Sequence, residues 1–301
     1  MAVGVIDSDQ SVLHRGTEPT TGLTLDLLLE TLERELRDGL EACPEVEAIG
    51  VGIPATMQHD AGIAIHAVNL PFVNVPVREL ISERFHLPVF VDNDANLAAL
   101  AEQRFGAGRQ ARNMVLLTIG TGIGGGLVLN GELYRGTTGA GAELGHMVID
   151  ENGPPCQGNC PNHGCVEAFA SGTALGRAGR LAAERDPDSA LGRALAAGDE
   201  VTGKTVTDAA LAGDRAAVEV VGEIGGHLGV ALASYANIFE PDVIVIGGGV
   251  SAAGELLLGP ARQQVRDRAL APMNETPVLA AALGPDAGMI GAAAMALEGT
   301  S

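Results

Sequence analysis

The chain has 301 residues, 46% of them hydrophobic and 3% aromatic, with no tryptophan. That length suits two lobes, and that apolar content excludes a disordered chain. A formal charge of −20 with a single lysine, Lys204, excludes the basic footprint a nucleic-acid partner requires and reads instead as a solubilising surface.

In chain order, the first residues read as a strand, without the basic region or cleavage site of a leader. Apolar runs at 2–6 and 11–15 around Asp7-Ser8-Asp9-Gln10 predict a hairpin. An amphipathic helix follows, with Leu25, Leu28, Leu32, Leu36 and Leu40 on one face and Pro44 as its stop. Val46–Ile53 and Leu87–Val91 read as buried strands, the second leading through Asp92-Asn93-Asp94-Ala95-Asn96 into a helix from about Leu97 to Phe105. A second lobe begins near Asn113, where Met114–Ile119 and Gly126–Leu129 flank a glycine-rich turn and Asn130-Gly131 signals a hairpin. Residues 173–233 are Ala-rich and helical. Val243–Ile246 is a strand running into Gly247-Gly248-Gly249, and a helix from about Ala253 to Leu270 follows. A strand at Val278–Leu283 and a helix from about Ala287 end the chain. Strands alternate with helices in both lobes, so the fold class is α/β. No apolar run reaches the roughly 20 residues of a membrane span, and the expected location is the cytoplasm, with no membrane partner.

Three stretches carry chemistry. Thr118–Gly126 holds Gly120, Thr121 and Gly122 in a turn whose successive N–H groups and threonine hydroxyl suit an anion. Because it lies between two strands it is neither a dinucleotide fingerprint nor a P-loop, and a plain hairpin turn reads equally well. Gly247, Gly248 and Gly249 stand between a strand and a helix, a usual ligand position in an α/β sheet and equally a tight turn. His146, Cys156, Cys160 and Cys165 supply one imidazole and three thiolates with nine, three and four intervening residues, the ligand set of a closed structural zinc site. His163 lies in the same loop as a competing ligand, and Cys43 stands apart as a buried thiol. Asp94, in a strand-to-helix turn, reads either as a general base or as a helix cap, a role Asp92, Asn93 and Asn96 would also suit.

Together these stretches resemble the ROK family of repressors and sugar kinases, over nearly the whole chain. The resemblance is most specific at Ile123-Gly124-Gly125-Gly126-Leu127, Gly136, Ala142 and Gly145-His146. It continues in Gly52-Ile53-Pro54, Asn69-Leu70-Pro71, Asn93-Asp94-Ala95-Asn96, Gly164-Cys165-Val166-Glu167, Gly247–Val250 and Ala287-Gly288-Met289-Ile290-Gly291. It implies a two-lobed fold of the actin-like ATPase or hexokinase type (ribonuclease H-like). The expected lobes are 1–112, on which the final helix at about 287–301 packs back, and 113–286 with the zinc knuckle 146–165.

The implied activity is ATP-dependent phosphorylation of a hexose, glucose first, with fructose, N-acetylmannosamine and N-acetylglucosamine as alternatives. By the same resemblance Asp94 is the base, and Asn69, Asn93, Glu143, His146 and Glu167 contact the sugar. Gly120, Thr121 and Gly122 form a phosphate loop, and Gly247–Gly249 lie near the adenosine. ATP, Mg²⁺ and a structural Zn²⁺ on His146, Cys156, Cys160 and Cys165 are the implied cofactors, sugar and nucleotide the partners, and a homodimer or homotetramer the assembly. The sequence departs from the family in two places. Two extra residues separate Cys156 from Cys160 relative to the family's Cys-x-Cys-x-x-x-x-Cys. The opening strand with Asp-x-Gly-Gly-Thr, central in the family's N-terminal sheet, has no counterpart after Met1, so either the start is misplaced or the chain is a sugar binder without turnover.

Overall fold

The computed structural model describes residues 1–67 and 70–300, and the chain divides into two contact-defined units. Unit 1 comprises Met1–Phe105, Leu133–Ala142 and Pro285–Ser301; unit 2 comprises Gly106–Glu132 and Glu143–Gly284.

Unit 1 opens with an antiparallel hairpin, β1 (Ala2–Ile6) and β2 (Val12–Thr17). Its turn closes where the Asp7 carboxylate accepts the amides of Asp9 and Ser11. Helix α1 (Leu25–Ala42) starts where Thr24 accepts the Leu27 amide, an N-cap that satisfies a donor the helix cannot, and its leucine face joins the core as the 3.6-residue period requires. β3 (Ile49–Ile53) pairs in parallel with β7 (Val89–Asn93), and α3 (Asp94–Phe105) follows β7 directly, three residues earlier than the apolar period alone suggests. Between them lie β4 (Thr56–Gln58), β5 (Ile63–His66), β6 (Val73–Val75) and α2 (Val77–Phe85). The antiparallel β4-β5-β6 sheet has no clear sequence signal, because three- and four-residue strands are too short to show alternation. The last helix, α10 (Ala287–Thr300), packs on α3, β3 and β1.

The β1-β2 and β3-β7 pairs are separate two-stranded sheets. A cavity of about 980 Å³, lined by β1, β3, α1 and α10, lies along both β1 and β3. A central strand of the kind the resemblance implies is not among the described residues.

Unit 2 is built on a five-stranded sheet of order β10-β9-β8-β11-β12, formed by β8 (Met114–Ile119), β9 (Ile123–Leu129), β10 (Glu132–Leu133), β11 (Val243–Gly247) and β12 (Val278–Ala280). Met114, Val115, Leu116 and Leu117 are each at most 1% exposed. Consecutive buried apolar residues mark a strand covered on both faces, and each such side chain contributes about 1.5–3 kcal/mol. The covering helices are α4 (Val166–Ala170), α5 (Gly172–Arg185), α6 (Ala190–Ala196), α7 (Gly203–Leu211), α8 (Arg215–Phe239) and α9 (Glu255–Arg268). By length and composition α8 could cross a membrane, but it packs on α4, α5, α7 and α9, with 56% of its most apolar window buried. The expected strand at Val278–Leu283 ends at Ala280, and a short 3-10 turn at Gly249–Ala253 precedes α9.

Candidate functional site

In unit 2 the two glycine turns become neighbours. β8 and β11 run parallel with Thr118 opposite Gly247, so Gly120–Gly122 and Gly247–Gly249 leave the sheet at the same, C-terminal, edge. Gly120 and Thr121 are exposed there, as are Gly248 and Gly249. Gly248 has φ of 86°, and a Cβ on it would fall 2.4 Å from the Ile119 carbonyl oxygen, so the turn requires glycine. The start of α5 fastens to the first turn: Gly172 N donates to Gly120 O at 2.8 Å, and Thr173 Oγ1 donates to Thr121 O at 2.9 Å. Backbone held against displacement and glycine-lined at a parallel-sheet edge can present N–H groups to phosphate.

His146 ends a 3-10 turn at Leu144–His146, whose Leu144 carbonyl accepts the hydroxyl of fully buried Tyr235. The ligand atoms of His146, Cys156, Cys160 and Cys165 all lie within 4.8 Å of one another. Cys156 Sγ is 3.5 Å from His146 Nδ1, and Cys160 Sγ is 3.9 Å from Cys165 Sγ. A tetrahedral zinc with bonds of about 2.0–2.3 Å sets ligand atoms roughly 3.5–3.8 Å apart, so these residues fit that ion. Burial and the neighbouring thiols hold the Cys156 thiol well above its ordinary pKa, and burial raises that of Cys165. Ionising these thiols would therefore take a cation between them. The two extra residues between Cys156 and Cys160 are absorbed in the loop, where the Gln157 amide side chain donates to Ser171 Oγ at 2.7 Å. His163 is exposed and stands outside the cluster.

Glu167, on α4, links the Cys/His cluster to the glycine turn. One carboxylate oxygen accepts the Ile123 amide at 2.7 Å, and the other lies 3.8 Å from Cys156 Sγ. A Cβ on Gly122 would stand 2.3 Å from the first of these oxygens. Glu143 is exposed, and its carbonyl accepts the His146 amide.

Asn93 and Asp94 belong to unit 1. The Asn93 side-chain oxygen accepts the amides of Ala95 and Asn96, and its nitrogen donates to Ala55 O at 3.2 Å. Asn93 is thus the cap of α3. Asp94 Oδ1 accepts the Ala95 amide at 2.9 Å, and the amide of Asp94 itself also acts on the carboxyl. Although Asp94 keeps solvent-accessible surface, the protein mass around it desolvates the carboxyl and raises its pKa, against backbone amides that lower it. Asp92, which the sequence offers only as a helix cap, is fully buried beside this turn and paired with Arg135. No local signal marks Arg135, which lies 43 residues further along the chain. Asn69 lies outside the described residues.

The family model "ROK family" matches residues 1–299. The glucokinase of Thermotoga maritima is 38% identical over 301 residues, 99% of this chain and 94% of that protein. Among solved structures, a ROK family glucokinase from Streptomyces griseus in complex with glucose and AMPPNP has a TM-score of 0.85 at 34% identity, over 98% of this chain and 95% of that one. A ROK family transcriptional regulator, a homolog of the E. coli MLC protein, has a TM-score of 0.87 at 29% identity, over 97% of this chain and 74% of that one. The two-lobed α/β fold of the actin-like ATPase and hexokinase type, expected from the motifs, is therefore the fold of this chain.

Proposed function

The chain belongs to the ROK family, and from that premise we propose that it is a cytoplasmic sugar kinase transferring the γ-phosphoryl group of ATP to glucose, at the 6-hydroxyl. The observation that carries this reading is the pair of glycine turns side by side at one edge of β8 and β11. In it, the backbone of Gly120, Thr121 and Gly122 faces phosphate, and Gly247, Gly248 and Gly249 lie by the adenosine. Asn69, Asn93, Glu143, His146 and Glu167 orient the sugar. The sugar oxygen attacks the γ-phosphorus, the bond to the ADP oxygen breaks, and Asp94 Oδ2 accepts the hydroxyl proton. A carboxylate whose pKa is raised by desolvation is a better proton acceptor than an ordinary aspartate. Mg²⁺, arriving with the nucleotide, would spread the developing charge. Zinc held by His146, Cys156, Cys160 and Cys165 would be structural, fixing the His146 ring so that its free nitrogen meets the sugar.

The test is Asp94→Asn. Loss of a general base costs roughly 10²–10⁴ in turnover, while glucose binding by calorimetry should stay close to the parent's. Undiminished turnover would sink the assignment. Comparing kcat/KM for glucose, fructose, N-acetylmannosamine and N-acetylglucosamine tests the choice of sugar.

A second reading, a sugar binder without turnover, is favoured by the likeness of the fold to a ROK family transcriptional regulator. Calorimetry separates the two, because glucose binding without any ATP binding supports the binder alone.

A further inference from the structure

Beneath the Asn93-Asp94 turn, unit 1 holds a charged cluster that the proposed chemistry leaves unused. Asp92, the penultimate residue of β7, is 0% exposed. Its Oδ1 accepts the Asn93 amide at 2.7 Å and Asn96 Nδ2 at 3.0 Å, so it grips both sides of the turn that presents Asp94. Its Oδ2 accepts Arg135 Nε at 2.6 Å, and His59 Nδ1 stands 3.6 Å from the same oxygen. That nitrogen is buried and makes no hydrogen bond.

Arg135 comes from the segment Leu133–Ala142, which meets the same cluster a second time where the His59 amide donates to Thr138 O at 3.2 Å. Arg78 completes the surround by donating to the carbonyls of His59 and Asp60 at 2.9 and 2.7 Å. The groups facing His59 are therefore Asp92, Arg135, Arg78 and Asp60. Burial, Arg135 and Arg78 lower its pKa, while Asp92 and Asp60 raise it. Burial is the largest of these influences and Arg135 the next, so the neighbouring Asp92 does not raise the His59 pKa above its ordinary value.

We propose that Arg135 is a positioning residue for phosphoryl transfer: its ion pair with buried Asp92 locks the turn that aims Asp94. A buried carboxylate tolerates a fixed geometry only while its charge is matched. The Arg fork supplies that match in one orientation, and Asn93 and Asn96 transmit it to the start of α3. The inference rests on the reading of Asp94 as base, but its key readout does not.

The experiment compares the parent with Arg135→Met, Asp92→Asn and the double variant, following glucose kinetics and the His59 ring by NMR. Arg135→Met should lower kcat roughly 100-fold, the scale of an ångström-sized misplacement, with KM for glucose changed far less. The His59 titration midpoint should rise, since one lowering influence is gone and Asp92 remains. Protonated His59 then stands in as partner, so the variant regains activity below that midpoint and loses it as pH rises through it. Removing both charges in the double variant should restore part of kcat and abolish this pH dependence.

An Arg135→Met protein with lower thermal stability but the parent's kcat, pH profile and His59 midpoint overturns the proposal. If that variant does not fold, Asp92→Asn decides: a lowered His59 midpoint with reduced kcat supports the lock, and unchanged kcat overturns it. Turnover retained in Asp94→Asn would remove the base assignment while leaving the His59 titration to judge the ion pair.

Discussion

Gly122 and Glu167 show how tightly single residues are set around the glycine turn. The carboxylate lies where a Cβ on residue 122 would be, 2.3 Å away, and it is tied to the Ile123 amide. Gly122→Ala must displace that carboxylate and break a buried charge-assisted hydrogen bond. We expect a loss of about 1–3 kcal/mol in stability, read by denaturant unfolding, and a raised KM for glucose if Glu167 orients the sugar. A stable variant with the parent's KM would remove Glu167 from the sugar site. At this scale the sequence left Asp94 with two roles, base or cap. The coordinates give the capping to Asn93, whose side chain takes the amides of Ala95 and Asn96. No spacing rule separates two adjacent polar residues in one turn, since the choice depends on rotamers set by Ala55 and Asp92.

Among elements, the loop from His146 to Cys165 has little packing of its own. Its backbone pairing is limited to the bridges Val148–Cys165 and Pro155–His163 and a few turn hydrogen bonds. Most of its side chains between 150 and 163 are not buried, so little apolar packing holds it. Structural zinc carries folding free energy for such segments. Metal analysis should find one zinc per chain, and Cys160→Ser should lose most of it. Removal of the metal should lower Tm and open the loop to proteolysis near Gly158; a metal-free protein with unchanged Tm and protease resistance would refute a structural role. The Cys/His cluster was legible because thiols crowded on a Gly/Pro-rich loop stand out as a group. The helices and long strands were legible too, through the leucine period of α1 and the unbroken apolar run of β8. The β4-β5-β6 sheet was not, because its strands borrow their stability from pairing and packing instead of from any local pattern.

For the whole molecule, 38 acidic residues face 18 basic ones. Such an excess repels itself in the compact state, and salt shortens the range of that repulsion from about 30 Å at 0.01 M to about 8 Å at 0.15 M. Tm should therefore rise by several degrees over that range of NaCl, and a flat response would show that local ion pairs already cancel the excess. The sequence by itself determined the family, the α/β class, the grouping of one histidine with three cysteines and both glycine turns, because each is written in residues close together or in a regular period. Tertiary structure alone decided that the two glycine turns share one sheet edge, and that Asn93 caps α3 beside Asp94. It alone also placed Arg135 against Asp92. The reason is physical: strand order and buried charge pairing join residues 43 to more than 120 positions apart, and no local propensity encodes which of them meet.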